Sequence, residues 1–166
     1  MTEDTLIDPE SASRVGTVAA SATGEVNQRD WQRWAAAVGD HNPLWFDADY
    51  ARANGFRDII CPPLYLQYAV LGVTHLEALR PDGSSGAVSG SLAFPRAPKR
   101  MAGGESFTFH LPAYHRDQIE MVRTIESIVE KQGSSGRFVL VTWHTVYRNQ
   151  RRELVAEAST LMIARP

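Results

Sequence analysis

The sequence predicts an α+β domain in which one long buried helix packs against a curved antiparallel sheet. The run from Leu64 to Leu79 is apolar on nearly all sides and carries no charge before Glu77, which is typical of a helix buried inside a sheet. Helical patterns are confined to the first half of the chain, whereas the second half alternates strand-like segments with turns. Together these observations predict helices packed on one face of an antiparallel sheet.

The first helices are predicted from apolar spacing and from their capping residues. Residues 1–12 lack periodicity and are expected to form a flexible arm, so that 13–166 form a single domain. A short amphipathic helix follows, with Asn27 placed to cap its start and Gly39 just past its end. Its apolar residues lie at helical spacing: Trp31, Trp34, Ala35 and Val38. A second short helix is predicted over 47–54.

Five segments beyond residue 86 have strand character and are separated by turn-forming residues: 87–94, 105–111, 117–131, 138–147 and 153–164. The third segment also fits helical spacing. The fourth segment alternates apolar and polar residues, and a glycine-containing turn separates it from the third segment. Both features favour a hairpin formed by two long strands, the third and fourth segments. A curved sheet around one helix has a bare edge, which a second copy commonly covers, so the sequence predicts a dimer.

Composition and charge exclude several classes of function. At 166 residues, with 43% hydrophobic and 22% charged residues, the chain has the balance of an ordinary globular domain. A net charge of -2 offers no basic field for nucleic acid, and we expect no nucleic-acid partner. No long apolar run or signal peptide occurs, so we expect no membrane partner and a cytoplasmic location. The single cysteine, Cys61, excludes an intrachain disulfide, and we expect no metal and no cofactor.

Two separated groups of motifs resemble one family. The first comprises 37–47 (AVGDHNPLWFD), 50–52 (YAR), 55–56 (GF) and 60–63 (ICPP), and the second comprises 135–142 (SGRFVLVT), 147–150 (YRNQ) and 153–156 (ELVA). Both resemble the hot-dog-fold acyl dehydratases, the MaoC-like hydratases. More narrowly, they resemble the branch that forms the N-terminal half of fungal fatty-acid-synthase-type dehydratases and of double hot-dog hydratases. The resemblance covers residues 25–164 and implies the hot-dog fold.

The resemblance also implies a reaction. Members interconvert 2-enoyl and 3-hydroxyacyl thioesters by reversible addition of water, on coenzyme A or an acyl carrier protein, in fatty-acid or polyketide metabolism. Their active site pairs an Asp with a His five residues later, and these positions map to Asp40 and Trp45. An indole neither accepts nor delivers a proton near neutral pH, so the usual pair is broken. Pro62 and Pro63 donate no N–H for the thioester oxyanion, which leaves the Leu64 N–H or a later amide at the start of the same helix as the candidate donor.

The remaining candidate site residues lie in the Asp40 loop, around Pro63 and in a basic segment. We expect Asp40 to act as acid or base and Asn42 to orient it; His41 is a candidate replacement for the imidazole, with a solvent-facing histidine as the alternative. Substrate contacts are expected from a set of residues, although the aromatic ones fit the core as easily: Asn42, Trp45, Pro63, Leu64 and Tyr65. In the basic segment 96–100, Arg96 and Arg100 are candidates for gripping coenzyme A phosphates or an acidic carrier, with a solvated loop as the alternative.

Three functions stay open at this stage. The first is a hydratase or dehydratase in which Asp40 is the surviving acid/base. The second is a non-catalytic, substrate-binding subunit of a heteromeric dehydratase, which Trp45 favours. The third is a hot-dog thioesterase or a biosynthetic cyclase or isomerase that uses Asp40 alone. The assembly is accordingly a homodimer or a heterodimer with a second hot-dog subunit.

Overall fold

Five antiparallel strands form one sheet in the computed structural model, which describes residues 5–71, 75–79, 81 and 92–166. Their order across the sheet is β1-β3-β4-β5-β2, so β1 and β2 are the two edges. The strands are β1 (Val18–Glu25), β2 (Lys99–Phe109), β3 (Gln118–Gly133), β4 (Gly136–Arg148) and β5 (Leu154–Arg165). This arrangement confirms the predicted α+β class with an antiparallel sheet.

The helices are short. They are α1 (Pro9–Ser13), α2 (Gln28–Ala37), α3 (Ala48–Ala53) and α4 (Leu66–Val70), with single 3-10 turns at Pro43–Trp45, Pro63–Tyr65 and Leu76–Ala78. Within the described ranges, no helix has the length and apolar character needed to span a membrane.

Helices α2 and α3 both begin at a side-chain cap, and the cap at Asn27 is the predicted one. The Asn27 carboxamide oxygen accepts the Arg29 N–H at 3.0 Å and starts α2, whose Trp31 and Ala35 are fully buried. The Asp47 carboxylate accepts the N–H groups of Asp49 and Tyr50 at 2.9 and 3.0 Å and starts α3. Both short helices predicted from the sequence are therefore confirmed.

Helix α4 is much shorter than the apolar run predicted. It ends at Val70, because Leu71 has extended backbone angles (φ -75°, ψ 124°). In the described part of the run, Leu66 and Val70 lie in the core, whereas Leu71 is 63% exposed. Residues 72–74 lie outside the described residues, and Leu76–Ala78 form a 3-10 turn. The prediction of one long central helix was wrong in length.

Three of the five predicted strands match β3, β4 and β5, and the alternation in β3 is that of a strand rather than a helix. The prediction at 105–111 is shifted, because β2 starts six residues earlier, at Lys99. The strand predicted at 87–94 lies mostly outside the described residues, and 92–94 are not in a strand. Strand β1 was missed because its small residues (VAASATGE) give almost no apolar alternation.

The core divides into two clusters along the sheet. One lies under α2, α3 and α4 and includes Trp31, Trp45, Cys61, Tyr65, Ile119, Tyr147 and Ala156. The other lies towards the opposite ends of the strands and includes Leu6, Phe94, Ile125, Val139, Val141 and Ala164. The loop that carries Asp40 therefore lies beside the first core cluster, and the basic segment at 96–100 lies beside the second core cluster.

The N-terminal segment packs against the part of the molecule that contains the second core cluster. Leu6 is 8% exposed, and its N–H donates to a carboxylate oxygen of Glu130 at 2.9 Å. The Ser11 hydroxyl donates to the Ala93 carbonyl oxygen at 2.8 Å. A hydrogen bond from Arg137, followed by that from Leu6, lowers the pKa of Glu130 to about 2. Residues 5–12, expected from sequence to form a flexible arm, thus include the start of α1 and pack against the sheet.

Candidate active site

The candidate acid/base, Asp40, follows the end of α2. Gly39 adopts a left-handed backbone conformation (φ 73°) that ends the helix, and the Asp40 N–H donates to the Ala35 carbonyl oxygen at 2.9 Å. The half-buried Asp40 accepts the Asn42 N–H on its carboxylate Oδ1 at 3.2 Å. This is the turn expected from Asp-x-Asn-Pro, in which the Asp side chain accepts the backbone N–H two residues later. The hydrogen bond holds the carboxylate in a defined orientation.

Asn42 organises the rest of the loop. Its side-chain oxygen accepts the Leu44 N–H at 3.0 Å, and its carbonyl oxygen accepts the Trp45 N–H at 3.1 Å. Pro43 follows at the first position of the 3-10 turn, where no N–H is needed. Asn42 therefore donates to the Asp40 carboxylate and accepts from the N–H groups of Leu44 and Trp45, which agrees with a role in orienting the loop.

Trp45, at the position of the family's histidine, lies in the core. Its side chain is 6% exposed, and its carbonyl oxygen accepts the indole N–H of Trp31 at 3.3 Å and the Gln32 amide at 3.1 Å. The indole N–H of Trp45 itself is buried and has no acceptor in the described part of the chain. An orphaned buried donor is costly, and the ring cannot exchange protons, so this position supplies packing without acid/base chemistry.

The turn that precedes α4 presents one backbone amide. The N–H groups of Tyr65 and Leu66 are used within the turn by the carbonyl oxygens of Pro62 and Pro63. The Leu64 N–H has no acceptor among the described residues, and Leu64 is exposed. Since Pro62 and Pro63 have no N–H, the Leu64 N–H is a candidate donor to a thioester oxyanion. Tyr65 is buried, and burial raises the pKa of its phenol.

An apolar cavity of about 200 Å³ opens beside this turn. It is lined by residues of the segment after α3, the turn and α4, together with the end of β2 and the loop after it: Phe56, Ile60, Cys61, Pro63, Leu66, Phe109, His110, Leu111, Pro112 and Ala113. Neither Asp40 nor Trp45 is among the lining residues. The wall formed by 109–113 was not predicted, because it joins the cavity through long-range contacts such as the hydrogen bond from the Cys61 N–H to the Ala113 carbonyl oxygen at 2.8 Å.

The other histidines do not converge on Asp40. His41 is exposed. His110 and His144 both contact the carboxylate of Glu157, at 3.1 and 3.3 Å. No group of three His, Cys, Asp or Glu residues suited to a metal ion occurs among the described residues. Cys61 is 3% exposed, and burial, followed by the charge of Asp117, raises the pKa of its thiol, so it is not a nucleophile in this state.

The basic segment is not brought to the Asp40 loop. Arg96 donates to the Thr5 carbonyl oxygen at 2.7 Å, and Arg100 donates to the Leu92 carbonyl oxygen. Both contacts lie beside the second core cluster, where the N-terminal segment packs. The reason is topological, because Arg100 lies at the start of β2, whereas Phe107 near the end of the same strand packs against the first core cluster.

Fold and loop together define a hot-dog protein of the MaoC-like dehydratase class. Among solved structures, the chain resembles one from the ChsH1-ChsH2 complex of Mycobacterium tuberculosis (TM-score 0.72, 22% identity, 93% of this chain and 88% of that one). It also resembles the R-hydratase PhaJ1 of Pseudomonas aeruginosa (TM-score 0.57, 21% identity, 91% and 81%). These likenesses confirm the predicted fold.

Sequence comparison narrows the class to a family. The profile described as "FAS1-like, dehydratase domain region" matches residues 13–158, so the chain belongs to this family. A UPF0336 protein of Parafrankia sp. is 28% identical over 141 residues (85% of this chain, 84% of that protein). A probable enoyl-CoA hydratase alpha subunit of Thermomonospora curvata is 29% identical over 130 residues, which are 75% of this chain and 40% of that protein. The chain thus spans well under two thirds of that relative's length.

Proposed function

We propose that this protein is an acyl-thioester hydratase or dehydratase that interconverts 2-enoyl and 3-hydroxyacyl thioesters of coenzyme A or an acyl carrier protein. The observation that carries the proposal is the oriented carboxylate of Asp40, held by Asn42 at the family's acid/base position. The family match and a relative named as an enoyl-CoA hydratase subunit support the reaction class. A buried, unpaired cysteine fits the proposed cytoplasmic location.

Asp40 has a defined task in this reaction. In hydration, its carboxylate accepts a proton from water as the oxygen bonds to C3, and electron density moves onto the thioester carbonyl. The Leu64 N–H is the proposed donor to that oxygen. Protonation at C2 then completes the addition, and Asp40 is the group proposed to return the proton.

A second candidate, a subunit that works with another hot-dog chain, is favoured by the burial of Trp45. The usual imidazole is missing here, so a partner that keeps it would complete the chemistry. Edge strand β2 offers a surface for such a partner, because all of its eleven residues except Phe107 are exposed. Either a homodimer or a heterodimer would cover this edge.

The test is an assay of the purified chain on a trans-2-enoyl-CoA, followed by loss of the enoyl absorbance. We expect hydration by the wild type and a loss of about 100-fold or more in Asp40→Asn, since a positioned general acid/base contributes about 10²–10⁴ in rate. Full activity in Asp40→Asn would overturn the assignment. Release of free thiol would indicate a thioesterase instead.

Substitution at Trp45 separates the two candidates. If the wild type is silent and Trp45→His hydrates the substrate, the chain is a subunit whose missing imidazole resides on a partner. Trp45→Phe is the matched control, because it removes the same indole and retains an apolar ring. Sedimentation of the wild type measures whether the chain is dimeric in solution, and a monomer at assay concentrations would contradict the proposed dimer.

A further inference from the structure

A positively charged cleft lies at the end of the sheet where β2 begins and β5 ends. Its volume is about 450 Å³. Four of its eight lining residues are cationic: Lys99, Arg100, Arg137 and Arg165. The others are Met101, Ser135, Gly136 and Pro166, so no acidic side chain belongs to the described lining. The cleft thus concentrates positive charge on a chain whose net charge is -2.

The contacts of these cations leave part of the charge uncompensated. Lys99 donates to a backbone oxygen of Pro166 at 3.0 Å, and Arg100 donates to the Leu92 carbonyl oxygen. The guanidinium of Arg165 lies 5.9 Å from the centre of the Phe138 ring. The partners of Arg100 and Arg165 are neutral, whereas Arg137 forms an ion pair with Glu130. These two charges are therefore held in place by groups that do not neutralise them.

The shape and chemistry of the cleft select a class of ligand. Its volume falls in the range of about 300–1,000 Å³ that is usual for small-molecule sites. Guanidinium groups match the oxygens of a phosphoryl group with paired hydrogen bonds, and the Ser135 hydroxyl supplies a further donor. A concave site with several guanidinium groups fits a phosphorylated small molecule better than the broad surface of a macromolecule.

The cleft is remote from the Asp40 loop of the same protomer. Ala156 of β5 belongs to the core cluster that contains Trp45, whereas Arg165 lies at the far end of that strand, about 30 Å away at the usual rise per residue. A ligand in the cleft therefore contacts a different part of the fold from the candidate active site.

We propose that this cleft is a binding site for the phosphoryl groups of a small molecule. The same chemistry is offered by the adenosine phosphates of coenzyme A and by a free phosphate anion. This binding site is independent of whether the chain catalyses hydration, because its charges and its location do not involve Asp40.

Isothermal titration calorimetry at low ionic strength tests the proposal, with adenosine 3′,5′-bisphosphate and inorganic pyrophosphate as separate probes. The variant is Lys99→Gln/Arg165→Gln, which removes two cleft charges and leaves the contacts of Arg100 and Arg137 intact. The matched control is Arg29→Gln/Arg33→Gln, which makes the same charge change at exposed positions of α2. Thermal unfolding of each variant verifies that it is folded.

We expect the wild type and the control to bind a probe equally and the cleft variant to bind at least tenfold more weakly. Tighter binding of the bisphosphate than of pyrophosphate identifies a nucleotide-containing ligand, and the reverse identifies a free phosphate anion. No binding of either probe to the wild type, or equal loss in the control, overturns the proposal. Since this measurement follows binding alone, an inactive enzyme leaves its outcome unchanged.

Discussion

Replacing Gly24 with alanine tests how closely β1 approaches α4. A Cβ built at Gly24 would lie 1.6 Å from the Ala69 carbonyl oxygen, 2.6 Å from the Ala69 carbonyl carbon and 3.1 Å from the Val70 Cα. All three are backbone atoms, so relief requires that the helix and the strand separate. The backbone of Gly24 is not in the left-handed region, which makes the clash the main effect.

The magnitude follows from the size of that separation. Ordinary contact requires an opening of more than about 1 Å, and overpacking of this kind costs about 1–3 kcal/mol or more. The lower entropy of alanine in the unfolded chain offsets about 0.4–1 kcal/mol of that cost. We therefore expect a net loss of about 2 kcal/mol in the free energy of unfolding, or a Tm lower by about 4–8 °C.

The assay is thermal and urea unfolding of Gly24→Ala beside Gly133→Ala. At Gly133 the added Cβ would meet the edge of the Phe138 ring at 3.2 Å, and that ring can rotate away. We expect the control to lose less than about 1 kcal/mol. If Gly24→Ala melts within 2 °C of the wild type (about 1 kcal/mol or less), the reasoning about the β1–α4 contact is refuted.

Two further perturbations probe single side chains. The pKa of Glu130 is lowered to about 2 from 4.5, so its contribution to stability is present above pH 4.5 and is lost as the pH falls through about 2. Glu130→Gln should therefore reduce the loss of stability with falling pH over this window. An unchanged pH dependence of stability would contradict the Arg137 and Leu6 contacts. Cys61 should react with a thiol reagent at the rate of unfolding rather than at the rate of a free thiol, and a fast reaction in native buffer would contradict its burial.

The sequence predicted best those elements that rest on local chemistry. The cap at Asn27 was predicted because it depends only on a residue two positions away. The hairpin of β3 and β4 was likewise visible in its glycine turn and alternation. The turn at Asp40 and Asn42 was predicted for the same reason.

Features that depend on tertiary contacts were missed or misplaced. The length of α4 could not be predicted, because apolar residues such as Tyr68 and Leu71 lie on its exposed side rather than in the core. Strand β1 owes its place to pairing with β3, since its own residues are mostly small. The charged cleft joins Lys99, Arg137 and Arg165 from three strands, which no local pattern in the sequence brings together.

The pairing order of the sheet also has a consequence for the order of folding. Neighbours β3, β4 and β5 are consecutive in the chain, so their pairing closes only short loops. By contrast, β1 must find β3 across more than a hundred residues, and β2 must find β5 across about fifty, as the pairs Val18–Thr124 and Phe109–Ala156 show. Contacts of such high sequence separation form late. We expect the three-stranded meander to form first, so that the edge offered to a partner subunit is completed only when β2 docks.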